Sequence, residues 1–174
     1  MSGRATARRG PARLGERGWS LPELMVTVGI LAVVTNIAIP VMSGALARAQ
    51  ASAICEDFAT VRQAVVDYYQ TNSAYPAERA VGVVPPEIRT AIANKVNFNN
   101  TKLRVQYDWE YWINAQGNPT QRATGVTVGF SVVTTDQKLI AAIQRVYRGG
   151  CFVRVNSTKY TFVIEPVPGA AKPC

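Results

Sequence analysis

The chain has 174 residues, room for one membrane helix and one globular domain of roughly 100 to 130 residues. It contains no histidine, which removes the Ser-His and Cys-His nucleophile arrangements and the commonest metal ligand. The formal charge of +8 is concentrated at the start: five arginines face Glu16 within the first 18 residues, and the remaining 14 bases and 10 acids net only +4, too little to argue for a nucleic-acid partner from charge alone.

Residues 1–18, rich in Arg, Gly and Ala, read as a leader with no packed structure of its own. Leu24 to Met42 then runs 19 residues without a charge, about 29 Å as a helix, just enough to cross the hydrocarbon core of a bilayer. Its polar side chains are Thr27, Thr35 and Asn36, which can bond to the helix's own carbonyls or to a neighbouring helix. Arg4, Arg8, Arg9, Arg13 and Arg17 precede the run, and the first base after it is Arg48. This asymmetry places the N-terminus in the cytoplasm and exports the C-terminal bulk. Glu23 stands at the mouth of the apolar run with a charge that lipid penalises unless it is partnered. An ordinary secretory signal places its small-residue cleavage site after the apolar stretch; no Ala-x-Ala-like site closes the run cleanly here, and Ser43-Gly44-Ala45 matches by residue type alone.

From Ser43 the pattern becomes amphipathic. Ala47, Ala51, Ile54, Phe58, Val61, Val65 and Tyr68 recur at spacings of three and four, with Arg48, Glu56, Asp57, Arg62 and Asp67 off the stripe. One helix is therefore expected from about Leu21 to about Gln70, roughly 75 Å long. Asn72-Ser73-Ala74-Tyr75-Pro76 ends it. A short helix is expected from Pro86 to about Val96, with Pro86 and Glu87 suited to its first turn.

Lys102 to Trp112 alternates, Leu103, Val105, Tyr107, Trp109 and Tyr111 against Arg104, Gln106, Asp108 and Glu110, as a half-buried antiparallel strand does. A turn over Asn114 to Pro119 leads to a second strand, Gly125 to Thr134. Thr134 or Thr135 can cap a helix beginning at Asp136, with Leu139, Ile140, Ile143 and Val146 on its apolar face and Gly149-Gly150 at its end. Two more strands, Cys151 to Val155 and Lys159 to Val167, flank Asn156-Ser157-Thr158. The fold class is thus α+β: one long N-terminal helix, membrane half plus amphipathic half, packed on an antiparallel sheet of about four strands.

Sites for chemistry are scarce. There is no Gly-rich phosphate loop and no Cys-x-x-Cys pair, so neither an enzyme nor a cofactor or metal is expected. Asp108 and Glu110 read as a solvated surface pair rather than a catalytic dyad. Trp109 and Tyr111 point to the core, whereas Trp112, facing outward, is the better candidate for a contact surface. Lys138, Arg145, Arg148, Arg154 and Lys159 suit subunit contacts as well as phosphate binding.

The segment Gly18-Trp19-Ser20-Leu21-Pro22-Glu23, followed by the apolar run to Met42, resembles the N-terminus of a type IV prepilin or pseudopilin. The resemblance covers residues 18 to about 42. It implies that a membrane-embedded prepilin peptidase and methyltransferase cuts between Gly18 and Trp19 and methylates Trp19, leaving the apolar helix in the mature product. It divides the chain into a leader (1–18), a transmembrane or filament-core helix (19–42) and an exported pilin-like domain (43–174). Glu23, fifth after the cut, would pair with the N-terminal ammonium of a neighbouring subunit, in a dry core where a lone charge costs several kcal/mol.

Trp19 replaces the usual Phe, and Pro22 stands where Ile is common, at a helix position that loses no hydrogen bond to proline. Pro40 should kink or locally melt the helix, as in many major pilins. Cys151 with Cys174 would close a loop of about 24 residues, worth roughly 3 kcal/mol, and a C-terminal disulfide loop also resembles type IVa major pilins. A bridge through Cys55, whose simplest role is a small core residue, or no bridge, are the alternatives.

The resemblance implies a structural subunit of a type IV pilus-like filament. Its partners would be further pilin subunits, the peptidase, an inner-membrane assembly platform and, before assembly, membrane lipid. Its place would be the inner membrane, then an extracellular pilus. The alternatives are a type II secretion pseudopilin in a periplasmic pseudopilus and, least favoured, a competence pilin that binds DNA.

Overall fold

The computed structural model describes residues 19–93, 95–112, 126–148 and 150–166. Among them, three helices and five strands follow in the order α1 (Leu21–Asn72), α2 (Pro86–Ile92), β1 (Asn99–Asn100), β2 (Val105–Tyr111), β3 (Val126–Val133), α3 (Gln137–Val146), β4 (Phe152–Arg154) and β5 (Lys159–Pro166). The chain divides into two compact units, one up to Met42 and one from Ser43, so the division falls inside α1. The leader, the 114–119 turn, Gly149 and Val167 lie outside the described residues.

In the first unit, α1 is apolar on every side and none of it is packed: Leu24, Ile30, Val33, Ile37 and Val41 are all exposed. Its few polar side chains bond back onto the helix. Thr27 Oγ1 donates to the carbonyls of Glu23 and Leu24 (3.0 and 2.9 Å), Thr35 Oγ1 to Leu31 (2.7 Å) and Asn36 Nδ2 to Ala32 (2.9 Å). Helical structure continues through Pro40.

In the second unit the same helix buries one stripe, Ala51, Ile54, Phe58, Val61, Ala64 and Val65, with Ala47 and Tyr68 partly buried at its ends. The stripe packs on an antiparallel sheet of order β1-β2-β3-β5-β4. Strand register sets Trp109, Phe130, Phe162 and Phe152 side by side across four strands. Phe58 stacks on Phe162, with ring centroids 4.5 Å apart. Helix α3 adds Leu139, Ile140, Ala142 and Ile143 to this core, and Tyr147, one residue past its end, meets Phe162 edge-on at 4.8 Å. The α+β architecture expected from the sequence is the one observed.

The sheet has five strands among the described residues rather than about four. The addition, β1, is two asparagines paired with Val105 and Gln106, too short and too polar to show periodicity. Strand β2 starts at Val105 rather than Lys102. Residues 101–104 form a turn in which Asn100 Oδ1 accepts from the Leu103 amide (3.1 Å) and Arg104 adopts φ 55°. Helix α2 stops at Ile92, four residues short of Val96, because Ala93 is extended. Helix α3 is capped by Asp136 itself, whose carboxylate accepts from the Lys138 and Leu139 amides (2.9 and 3.1 Å); Thr134 Oγ1 accepts from the Asp136 amide instead of capping.

Candidate functional site

At the start of α1, Trp19 is exposed and Gly18 lies outside the described residues. Ser20 and Glu23 bond reciprocally. Glu23 Oε2 accepts from the Ser20 amide (2.9 Å) and hydroxyl (2.8 Å), while the Ser20 hydroxyl oxygen faces the Glu23 amide at 3.5 Å. This is a capping box, which satisfies amides that a helix start leaves without partners. Sequence reasoning treated Glu23 as unpartnered within its own subunit; the Ser-x-x-Glu spacing was the missed signal. The carboxylate remains exposed and keeps acceptor capacity for a second partner.

A second constellation lies on the sheet face opposite the α1 stripe. Asp108 and Glu110 of β2 are 4% and 1% exposed, so the expected solvated pair is a buried one. Lys159, at the first position of β5, reaches across β3 with Nζ 2.7 Å from Asp108 Oδ2 and 2.8 Å from Glu110 Oε1. Ser131 Oγ donates to the same Glu110 oxygen (2.7 Å) and lies 2.6 Å from Thr161 Oγ1. Asp108 Oδ1 is buried with no hydrogen-bond partner.

Burial pushes the Glu110 carboxyl above its ordinary range, against the hydrogen bonds from Lys159 and Ser131. Burial acts to lower the Lys159 pKa, but hydrogen bonds to Asp108 and Glu110 outweigh it and hold the group above the usual lysine value. Lys159 therefore leaves the expected set of surface bases. Its charge was legible; its place beside Asp108 and the pairing across an intervening strand were not.

The other expected residues divide between core and surface. Trp109 is fully buried and its Nε1–H donates to the Pro76 carbonyl (2.9 Å), which ties the Tyr-Pro after α1 to the sheet. Tyr111 and Trp112 are half-buried, and the Trp112 amide donates to the Thr127 carbonyl (2.9 Å). Arg154 lies 6.0 Å from the centre of the Tyr160 ring, while Lys138, Arg145 and Arg148 are exposed. Cys55 is a free, half-buried thiol pushed up by burial. Cys174 lies outside the described residues.

No protein-family model matches the chain, and no solved structure does. The chain is similar to a fimbrial protein. Fimbrial protein EcpC of Eikenella corrodens is 27% identical over 81 residues, covering 47% of this chain and 53% of that protein. The chain thus spans about half the length of this curated relative. It combines a long helix packed on an antiparallel sheet, a segment of α1 long and apolar enough to cross a membrane, and a partial similarity to a fimbrial protein.

Proposed function

We propose that the chain is the structural subunit of a type IV pilus-like filament, cut between Gly18 and Trp19, methylated at Trp19 and assembled through the apolar half of α1. The observation that carries this is the exposure of apolar side chains on every side of α1 up to Met42, directly after Ser20 and Glu23. A helix apolar all round is stable only in lipid or packed against other helices. Before assembly it spans the inner membrane with its N-terminus cytoplasmic; after assembly it packs against the same segment of other subunits. Glu23 then pairs with a neighbour's Trp19 ammonium, and Pro40 marks where the helix loosens as it packs. An assembly platform in the membrane draws the subunit from lipid into the fibre.

Cys151 and Cys174 are the proposed disulfide; in support, Cys55 is a free thiol and Cys151 is disulfide-bonded. Gly18→Ala should leave the leader attached, whereas Glu23→Ala should be processed yet recovered from membranes and not from fibres. Normal processing of the first variant, or normal fibres from the second, would contradict the assignment.

A further inference from the structure

We propose that Lys159 and Asp108 condense into an isopeptide bond, with Glu110 as the group that moves the protons. Three features single out this cluster. One part-buried ammonium faces two buried carboxylates, at 2.7 and 2.8 Å, so the site holds an unbalanced charge that water screens only from the lysine side. An amine hydrogen-bonded to a carboxylate oxygen is one bond away from the carbon it would attack, so little movement brings the two together. Asp108 Oδ1 is buried and unpartnered, an arrangement costly for a carboxylate and milder for a neutral amide carbonyl.

The two acids have distinct roles. Glu110 Oε1 is held by both Ser131 and Lys159, which fixes it as base and proton donor. Asp108 is bound through Oδ2 alone and is the acyl donor, the carbon that the Lys159 amine attacks. Glu110 takes one proton from the Lys159 ammonium and passes it to Asp108 Oδ2. The freed amine attacks Asp108 Cγ, forming the C–N bond. Glu110 relays a second nitrogen proton to the same oxygen, the C–Oδ2 bond breaks, and Oδ2 departs as water. Oδ1 remains as the amide carbonyl, one proton stays on nitrogen, and Glu110 ends as it began.

No oxidant or co-reactant is required. The resting ammonium is favoured by its two carboxylates, so the first transfer is uphill and the bond forms as a slow maturation after folding. The product ties β2 to β5 over β3 and removes a buried ion pair. It does not depend on whether the chain assembles into a fibre.

Peptide mapping of the folded full-length chain, aged in detergent and then reduced, denatured and digested with trypsin, tests this. The expected product is a branched peptide joining the Asp108 and Lys159 segments, uncut at Lys159 and lighter than its two parts by one water, about 18 Da. Glu110→Gln keeps the shape of the site but cannot relay protons, and should slow linkage about 100-fold. Two separate peptides with a Lys159 amine open to acylating reagents would overturn the bond, and linkage at an unchanged rate in Glu110→Gln would overturn the role of Glu110.

Discussion

The buried Glu110 carboxyl contributes to the acid response of this molecule. Because burial raises the Glu110 pKa above its unfolded value, the folded chain holds that proton to higher pH than the unfolded chain does. The group's contribution is therefore most favourable below the ordinary glutamate range, and is lost as pH rises through the raised value. In freshly folded protein, before any linkage forms, Lys159→Met removes the cation from the cluster and should cost about 3–5 kcal/mol at neutral pH. Thermal melts of both proteins should show the gap narrowing from about pH 7 to about pH 4, as Glu110 protonates. A gap independent of pH would mean that the Glu110 carboxylate carries no net charge penalty.

Gly129, opposite Glu110 on β3, is constrained by space: a Cβ there would run into the Thr161 methyl and lie 3.2 Å from the Phe162 carbonyl oxygen. Gly129→Ala should cost about 1–3 kcal/mol, read from the denaturant midpoint. At this scale the sequence was least informative. Glu23 was recognisable as an anomaly, though its partner Ser20, three residues before it, went unread, and the burial of Asp108 depends on a lysine 51 residues later that no local pattern announces.

Helix α1 is one element in two environments. From Ser43 its stripe is core, so Phe58→Ala, which empties the stack on Phe162, should cost about 3–5 kcal/mol of domain stability. Ile37→Ala, in the exposed stretch, should leave denaturant unfolding of the second unit unchanged in detergent. Equal losses would mean that the first half of α1 supports the folded domain. The stripe was legible because burial follows a helical period, and β2 because Val105, Tyr107 and Trp109 follow a period of two. Strand β1 was not, since two asparagines owe their pairing to the chain they face. The end of α2 was missed for a similar reason: residues up to Val96 retain helical spacing of apolar side chains, but a backbone turn intervenes.

At the scale of the whole molecule, an apolar helix and a folded domain meet within one chain, and composition alone separated them: nineteen uncharged residues, then a stripe with charges on its outer side. In the proposed function, export, cleavage and assembly all converge on the bond between Gly18 and Trp19. The most direct measurement is intact-mass analysis of the protein in the membrane fraction and in material sheared from the cell surface. The account predicts a species beginning at methylated Trp19 in both, with the sheared fraction marking a pilus rather than a periplasmic pseudopilus. A mass that retains residues 1–18, or that begins near residue 46, would contradict it.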